Sequence, residues 1–198
     1  MHGVTLDGVV DYAGRTDAAI TRDLLRLAGV APEAIDERWE EVKTAAAVAY
    51  ARLCPEDLSD RVAPGMVELL DELSARTGDF RLSLVTGNLE PIARLKLGRA
   101  GVGRYFEALR GGFGSDDEDR GRLPAIARRR ASDPPWPRDR TVVIGDTPHD
   151  IACARVDEVR VAAIATGPFA VTELADADAV VDDARAVLPV LADWAATA

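Results

Sequence analysis

Two short stretches combine residue types that can do chemistry together. In Val142-Val143-Ile144-Gly145-Asp146-Thr147-Pro148-His149-Asp150 an apolar run ends in Gly-Asp, and a second Asp follows four residues later. A strand that stops there and a helix that begins at once would place Asp146 at the strand end and Asp150 in the first helical turn, facing one region. Paired carboxylates of that kind suit a hard cation such as Mg2+, which takes one or two protein carboxylates and keeps several waters. The same residues also make a turn and a helix start, but their joint occurrence after a buried strand favours the metal. In Leu82-Ser83-Leu84-Val85-Thr86-Gly87-Asn88 a second apolar run ends in a hydroxyl and a glycine ahead of a helix. A helix start with exposed N–H groups suits an anion such as phosphate, and Asn88 can equally cap the helix.

The elements that position these residues follow from pattern. After Pro64, helices alternate with apolar runs at 81–85, 141–144, 159–164 and 179–181, and a weaker strand candidate covers Ala108 to Gly111. Continuous β-branched runs suit strands covered on both faces, as in a parallel α/β sheet, where ligands gather beyond the carboxyl ends of the strands. Helices are predicted over 66–76, 89–100, 120–131, 150–156 and 184–195. Ahead of Pro64 no strand-like run occurs. Helices over 17–28 and 33–53 form a helical unit, which divides the chain into 1–63 and 64–198.

Composition narrows the function classes. The 198 residues include 34 acidic against 24 basic, for a net charge of -10, which speaks against nucleic acid and against an anionic membrane as partners. No apolar run reaches the length of a membrane span, and the N-terminus lacks a basic region followed by an apolar one. Two cysteines, Cys54 and Cys153, have neither zinc nor disulfide-framework spacing, so the reducing cytoplasm is the expected compartment. Ser115-Asp116-Asp117-Glu118-Asp119 reads as helix capping and solvation, and Arg128-Arg129-Arg130 splays around a helix.

"LVTGN" ahead of a helix and, further along, "VVIGDTPHDIACAR" resemble the second and fourth motifs of the haloacid dehalogenase-like (HAD) hydrolase superfamily. The helical unit before Pro64 resembles the small cap of phosphoglycolate-phosphatase-like members. The resemblance implies a Rossmannoid parallel sheet flanked by helices, with that cap, and Mg2+-dependent hydrolysis of a small phosphorylated metabolite. Thr86 would bond the transferring phosphoryl group, with Gly87 and Asn88 beside it. Asp146 would be the metal ligand, and Asp150 a second ligand or the partner that holds the first. The family's third motif is a Lys at a helix start. Neither Lys43 nor Lys96 falls there, and Arg120 is the nearest cation, with Arg122 second. Arg presents a planar fork where Lys is a point charge.

The family's opening motif, a strand ending in Asp-x-Asp-Gly-Thr, has no convincing counterpart. Asp7-Gly8 echoes it, but Thr5 stands where the attacking Asp belongs, and His2 and Gly3 make a poor central strand. The expectation is a chain that begins too late, with its nucleophile and first core strand missing, through a wrong start codon, a cloning boundary or a degraded gene. Such a sheet would expose inner edges, which favours association into a homo-oligomer. Arg15, at the entrance to the first helix, is a candidate for an anionic group of the substrate. His149 reads as a surface residue and Cys153 as a packed, inert thiol. Two alternatives stand beside the phosphatase: a non-catalytic protein that keeps the phosphate and metal pocket, and a haloacid dehalogenase. The Asp146 and Asp150 pair argues against the dehalogenase, whose chemistry needs no Mg2+.

Overall fold

The computed structural model describes residues 14–106 and 110–196. Thr5 and Asp7 lie outside the described residues, as do Ala108 and Leu109 of the 108–111 strand candidate.

Helix α1 (Asp17–Leu27) begins where the Thr16 hydroxyl accepts the Ala19 N–H, and it stops before Gly29 at φ +80°. The single helix expected over 33–53 is two, α2 (Pro32–Glu37) and α3 (Trp39–Leu53), broken at Arg38. The break brings two groups onto Arg22 of α1. Its guanidinium pairs with Asp36 at 2.5 Å and lies 4.4 Å from the centre of the Trp39 ring.

From Met66 the alternation follows the expected order: α4 (Met66–Ala75), β1 (Val85–Thr86), α5 (Glu90–Arg99), β2 (Gly112–Phe113), α6 (Leu123–Ala131), β3 (Val142–Gly145), α7 (Pro148–Val156), β4 (Arg160–Ile164), β5 (Ala179–Val181) and α8 (Val187–Ala196). The strands form two parallel sheets, β1-β2 and β3-β4-β5. Val85 pairs with Gly112 in the first, and Val143 with Val161 in the second. Among the described residues, neither β1 nor β3 has a ladder partner on the edge it turns toward the other sheet. Helices flank these sheets, so the architecture is α/β.

β4 explains why its sequence is apolar without alternation. Ala162 and Ile164 pack with Leu69, Leu73, Val187 and Leu191 of α4 and α8, while Val161 and Ala163 pack with Ile151 and Ala154 of α7. A strand buried on both faces needs apolar side chains at every position.

The acidic run is occupied by protein donors. Asp116 pairs with Arg130 at 2.7 Å, Glu118 with Arg22, and Asp119 accepts the Gly121 N–H at 2.9 Å. Arg128 points away from Arg130 and holds Asp157 with bonds of 2.7 and 2.8 Å. Asp157 is 3% exposed, and Arg138 adds a contact at 3.4 Å. Arg128→Ala leaves a buried carboxylate short of its main partner, so it is expected to lower stability by about 3 kcal/mol. A reduced urea midpoint at unchanged slope would show it; a loss under about 0.5 kcal/mol would mean that Arg138 takes over. Among the described residues no helix is long and apolar enough to cross a membrane.

Candidate functional site

The site is built where the carboxyl ends of β1 and β3 meet the entrance to α1. At the end of β1, the Thr86 hydroxyl accepts the Asn88 N–H at 3.2 Å, which makes a tight turn. That turn is locked by close backbone approach from two sides. A Cβ on Gly87 would strike the Arg15 carbonyl, and one on Gly114 would fall on the Gly87 carbonyl. Gly114 donates its N–H to the carbonyls of Thr86 and Asn88, both at 2.9 Å, and Asp17 donates its own to that of Gly87 at 2.7 Å. Only glycine permits such contacts at both positions. Thr16, buried, adds a bond from its hydroxyl to the Glu118 carbonyl at 2.9 Å.

At the end of β3, Asp150 organises the turn into α7. One carboxylate oxygen accepts the Asp146 N–H at 3.2 Å, the Thr147 N–H at 3.1 Å and the Thr147 hydroxyl at 2.9 Å. Thr147 in turn accepts the Asp150 N–H, completing a reciprocal cap at the helix start. The other oxygen receives Arg120, which also donates to the Gly14 carbonyl at 3.1 Å. Asp150 is 7% exposed, so its charge is balanced inside the protein by Arg120 and three donors. A side chain on Gly145 would collide with its carboxyl group.

Asp146 differs from Asp150. Its carboxyl faces the cavity, and burial, followed by the charge of Asp150, holds its pKa above the ordinary Asp value, with Arg120 acting the other way. A carboxylate held that way gains from a cation in front of it. Among the described residues no third His, Cys, Asp or Glu joins these two in one cluster. A donor set of one open carboxylate and a second beside it suits Mg2+, which keeps its waters.

A cavity of about 640 Å³ gathers seven of the residues singled out from the sequence: Arg15, Thr86, Gly87, Asn88, Arg120, Asp146 and Asp150 line it. Arg120 approaches from the short 3-10 turn Arg120–Arg122 ahead of α6, while Arg122 turns to Asp117 and Asp119. Arg15 pairs with Asp23 at 2.6 Å. Asn88 is not the N-cap of α5. Leu89 holds that position, and the Leu89 N–H goes to Asp17 at 2.8 Å. The side chain of Asn88 is held between Asp17 and Lys96. Cys153 is buried behind Asp150, and burial pushes its thiol up to about 11, which keeps it a thiol at neutral pH.

Asp17, Thr147 and Gly114 are the contributors that sequence reading did not single out for the site. A capping Thr ahead of Asp150 was legible in Thr147-Pro148-His149-Asp150, but no local signal ties Asp17 to a turn 71 residues away.

No curated protein matches the chain. Two family matches cover it: haloacid dehalogenase-like hydrolase over residues 6–155, and HAD-hydrolase-like over residues 122–193. The first takes in both strand-end motifs and the helical unit, and the parallel α/β arrangement is the Rossmannoid fold expected from them. The chain therefore belongs to the haloacid dehalogenase-like hydrolase family.

Proposed function

We propose that this hydrolase acts on phosphate monoesters of small metabolites with Mg2+ as cofactor, in the cytoplasm. The carrying observation is that an anion-receiving turn, a fixed guanidinium and an open carboxylate line a single cavity. Thr86 donates its hydroxyl to a phosphoryl oxygen, and Gly87, against which the Arg15 carbonyl packs, fixes the turn that presents it. Arg120, fixed by Asp150 and Gly14, supplies positive charge where negative charge develops. Asp146 would hold Mg2+, with Asp150 setting the position of its backbone. The ion, when bound, stabilises charge on the phosphoryl oxygens. Arg15 borders the cavity on the side of the helical unit and serves the remainder of the substrate. The helical unit acts as the cap, residues 64–198 as the core, and two free, buried cysteines suit a reducing compartment.

One observation favours a second reading, binding of phosphate and metal without turnover. The family resemblance implies an attacking carboxylate, and among the described residues Asp17 and Asp150 have both oxygens engaged by protein donors. Neither is free to attack phosphorus.

Release of inorganic phosphate from a panel of monoesters, with Mg2+ and with a chelator, decides between them. Hydrolysis is expected with Mg2+ only, and Thr86→Ala is expected to lower it about a hundredfold, the usual effect of losing one donor to developing charge. Phosphate binding with no turnover would establish the second reading. Halide release that survives chelation would instead make the protein a dehalogenase.

A further inference from the structure

The side chains of Asp17, Asn88 and Lys96 form a chain of hydrogen bonds, and two of these residues, Asp17 and Asn88, line the cavity. Asn88 donates through Nδ2 to one Asp17 oxygen at 3.1 Å and accepts Lys96 Nζ on its Oδ1 at 2.9 Å. The other Asp17 oxygen accepts the Leu89 N–H at 2.8 Å. A carboxylate only accepts and an ammonium only donates, so the amide of Asn88 has one orientation that satisfies both neighbours. Both ends of the chain are anchored in the helical unit. Asp17 is the first residue of α1, and Lys96 sits 5.2 Å from the centre of the Tyr50 ring on α3. The carboxylate also lies at the positive end of α5, which has no capping side chain of its own.

We propose that this relay makes Asp17 a positioning residue, through which the helical unit sets the anion-receiving form of the Thr86-Gly87-Asn88 turn. The proposal rests on the reading of that turn as the phosphate site. Asp17 touches no substrate in this role. It holds Leu89 and Asn88, and its own N–H holds the Gly87 carbonyl, so three consecutive residues of the turn depend on it.

The relay has a reciprocal form that tests it. Asp17→Asn must present its amide NH2 either to Asn88 or to Leu89, so one bond is lost whichever way the group turns. Asn88→Asp alone sets two carboxylates face to face. The double variant D17N/N88D restores every bond with donors and acceptors exchanged: Asn to Asp, Lys96 to Asp, and Leu89 N–H to the new amide oxygen.

The measurement is binding of inorganic phosphate in the presence of Mg2+ by calorimetry, together with amide hydrogen exchange at Leu89, on the wild type and these three variants. Each single substitution is expected to weaken phosphate binding about tenfold and to speed Leu89 exchange, as loss of a bond to a charged group does. The double variant is expected to restore Leu89 exchange to within about threefold of the wild type, while its phosphate binding stays weak, because N88D places a carboxylate in the turn that receives the anion. The proposal is overturned if Asp17→Asn leaves both readouts unchanged, or if Leu89 exchange in the double variant is no slower than in the worse single one. If the wild type binds no phosphate, the phosphate-site reading fails separately, and the relay itself is decided by Leu89 exchange.

Discussion

Arg120→Ala is expected to cost both activity and stability, with at least about a hundredfold of turnover lost and about 3 kcal/mol of folding free energy. Both effects come from one geometry. The guanidinium faces the cavity that the Thr86-Gly87-Asn88 turn also lines, and it neutralises Asp150, which is 7% exposed. Truncation leaves that carboxylate charged in a site that water barely reaches. Three donors from Asp146 and Thr147 remain on its other oxygen, which holds the penalty toward the low end for a broken buried pair. Arg120→Lys separates the two roles. Lys keeps the charge but cannot hold the Gly14 carbonyl and Asp150 together as the planar fork does. It should recover most of the stability and only part of the turnover. Urea unfolding and phosphate release on the same preparations give both numbers. An unfolding midpoint for Arg120→Ala equal to that of the wild type would show that Asp150 does not depend on the pair.

For Asp146→Asn the two effects have opposite signs. Loss of the open carboxylate is expected to remove Mg2+-dependent turnover by about a thousandfold, since a metal supplies several kcal/mol of charge stabilisation. Without metal the same substitution is expected to raise stability slightly. Burial and the neighbouring Asp150 hold the Asp146 carboxyl above its ordinary value of 3.8, so between that value and its folded value the native protein binds more protons than the unfolded chain. Stability therefore falls as pH rises through that window, and the penalty is fully present at pH 7. Asn carries no charge and escapes it. Because the carboxyl is open to solvent, the gain stays below about 1 kcal/mol. Added Mg2+ should raise the melting temperature of the wild type and leave that of the variant unchanged, since a ligand that binds only the native state stabilises it. A variant less stable than the wild type without metal, or equally stabilised by Mg2+, would contradict the assignment of Asp146.

Arg120 shows how far sequence carries toward such a site. Its position at a helix start ahead of the "VVIGD" strand singled it out, although the residue type departs from the family's Lys. That it bridges Gly14 and Asp150 was not legible, because nothing in spacing reports contact between residues 106 and 30 positions apart. Asn88 shows the converse. Its place just before a helix marked it as a cap, yet Leu89 holds that position and gives its N–H to Asp17.

By itself, the sequence determined the features that depend on neighbours along the chain. The continuous apolar runs of β3, β4 and β5, the glycines at strand ends, and the helix start at Asp150 are all short patterns of neighbouring residues. The family resemblance and its three polar residues, Thr86 and Asp146 at strand ends and Asp150 in the first turn of α7, belong to the same class. The tertiary structure decided what has no local signature: the break at Arg38, beside which Asp36 and Trp39 meet Arg22; the glycine at 114, which a carbonyl from another loop requires; and the relay from Asp17 to Lys96. Each depends on groups brought together by packing of separate elements. Side-chain partners of that kind are chosen by distance in space and by matching donor with acceptor, and a linear pattern records neither.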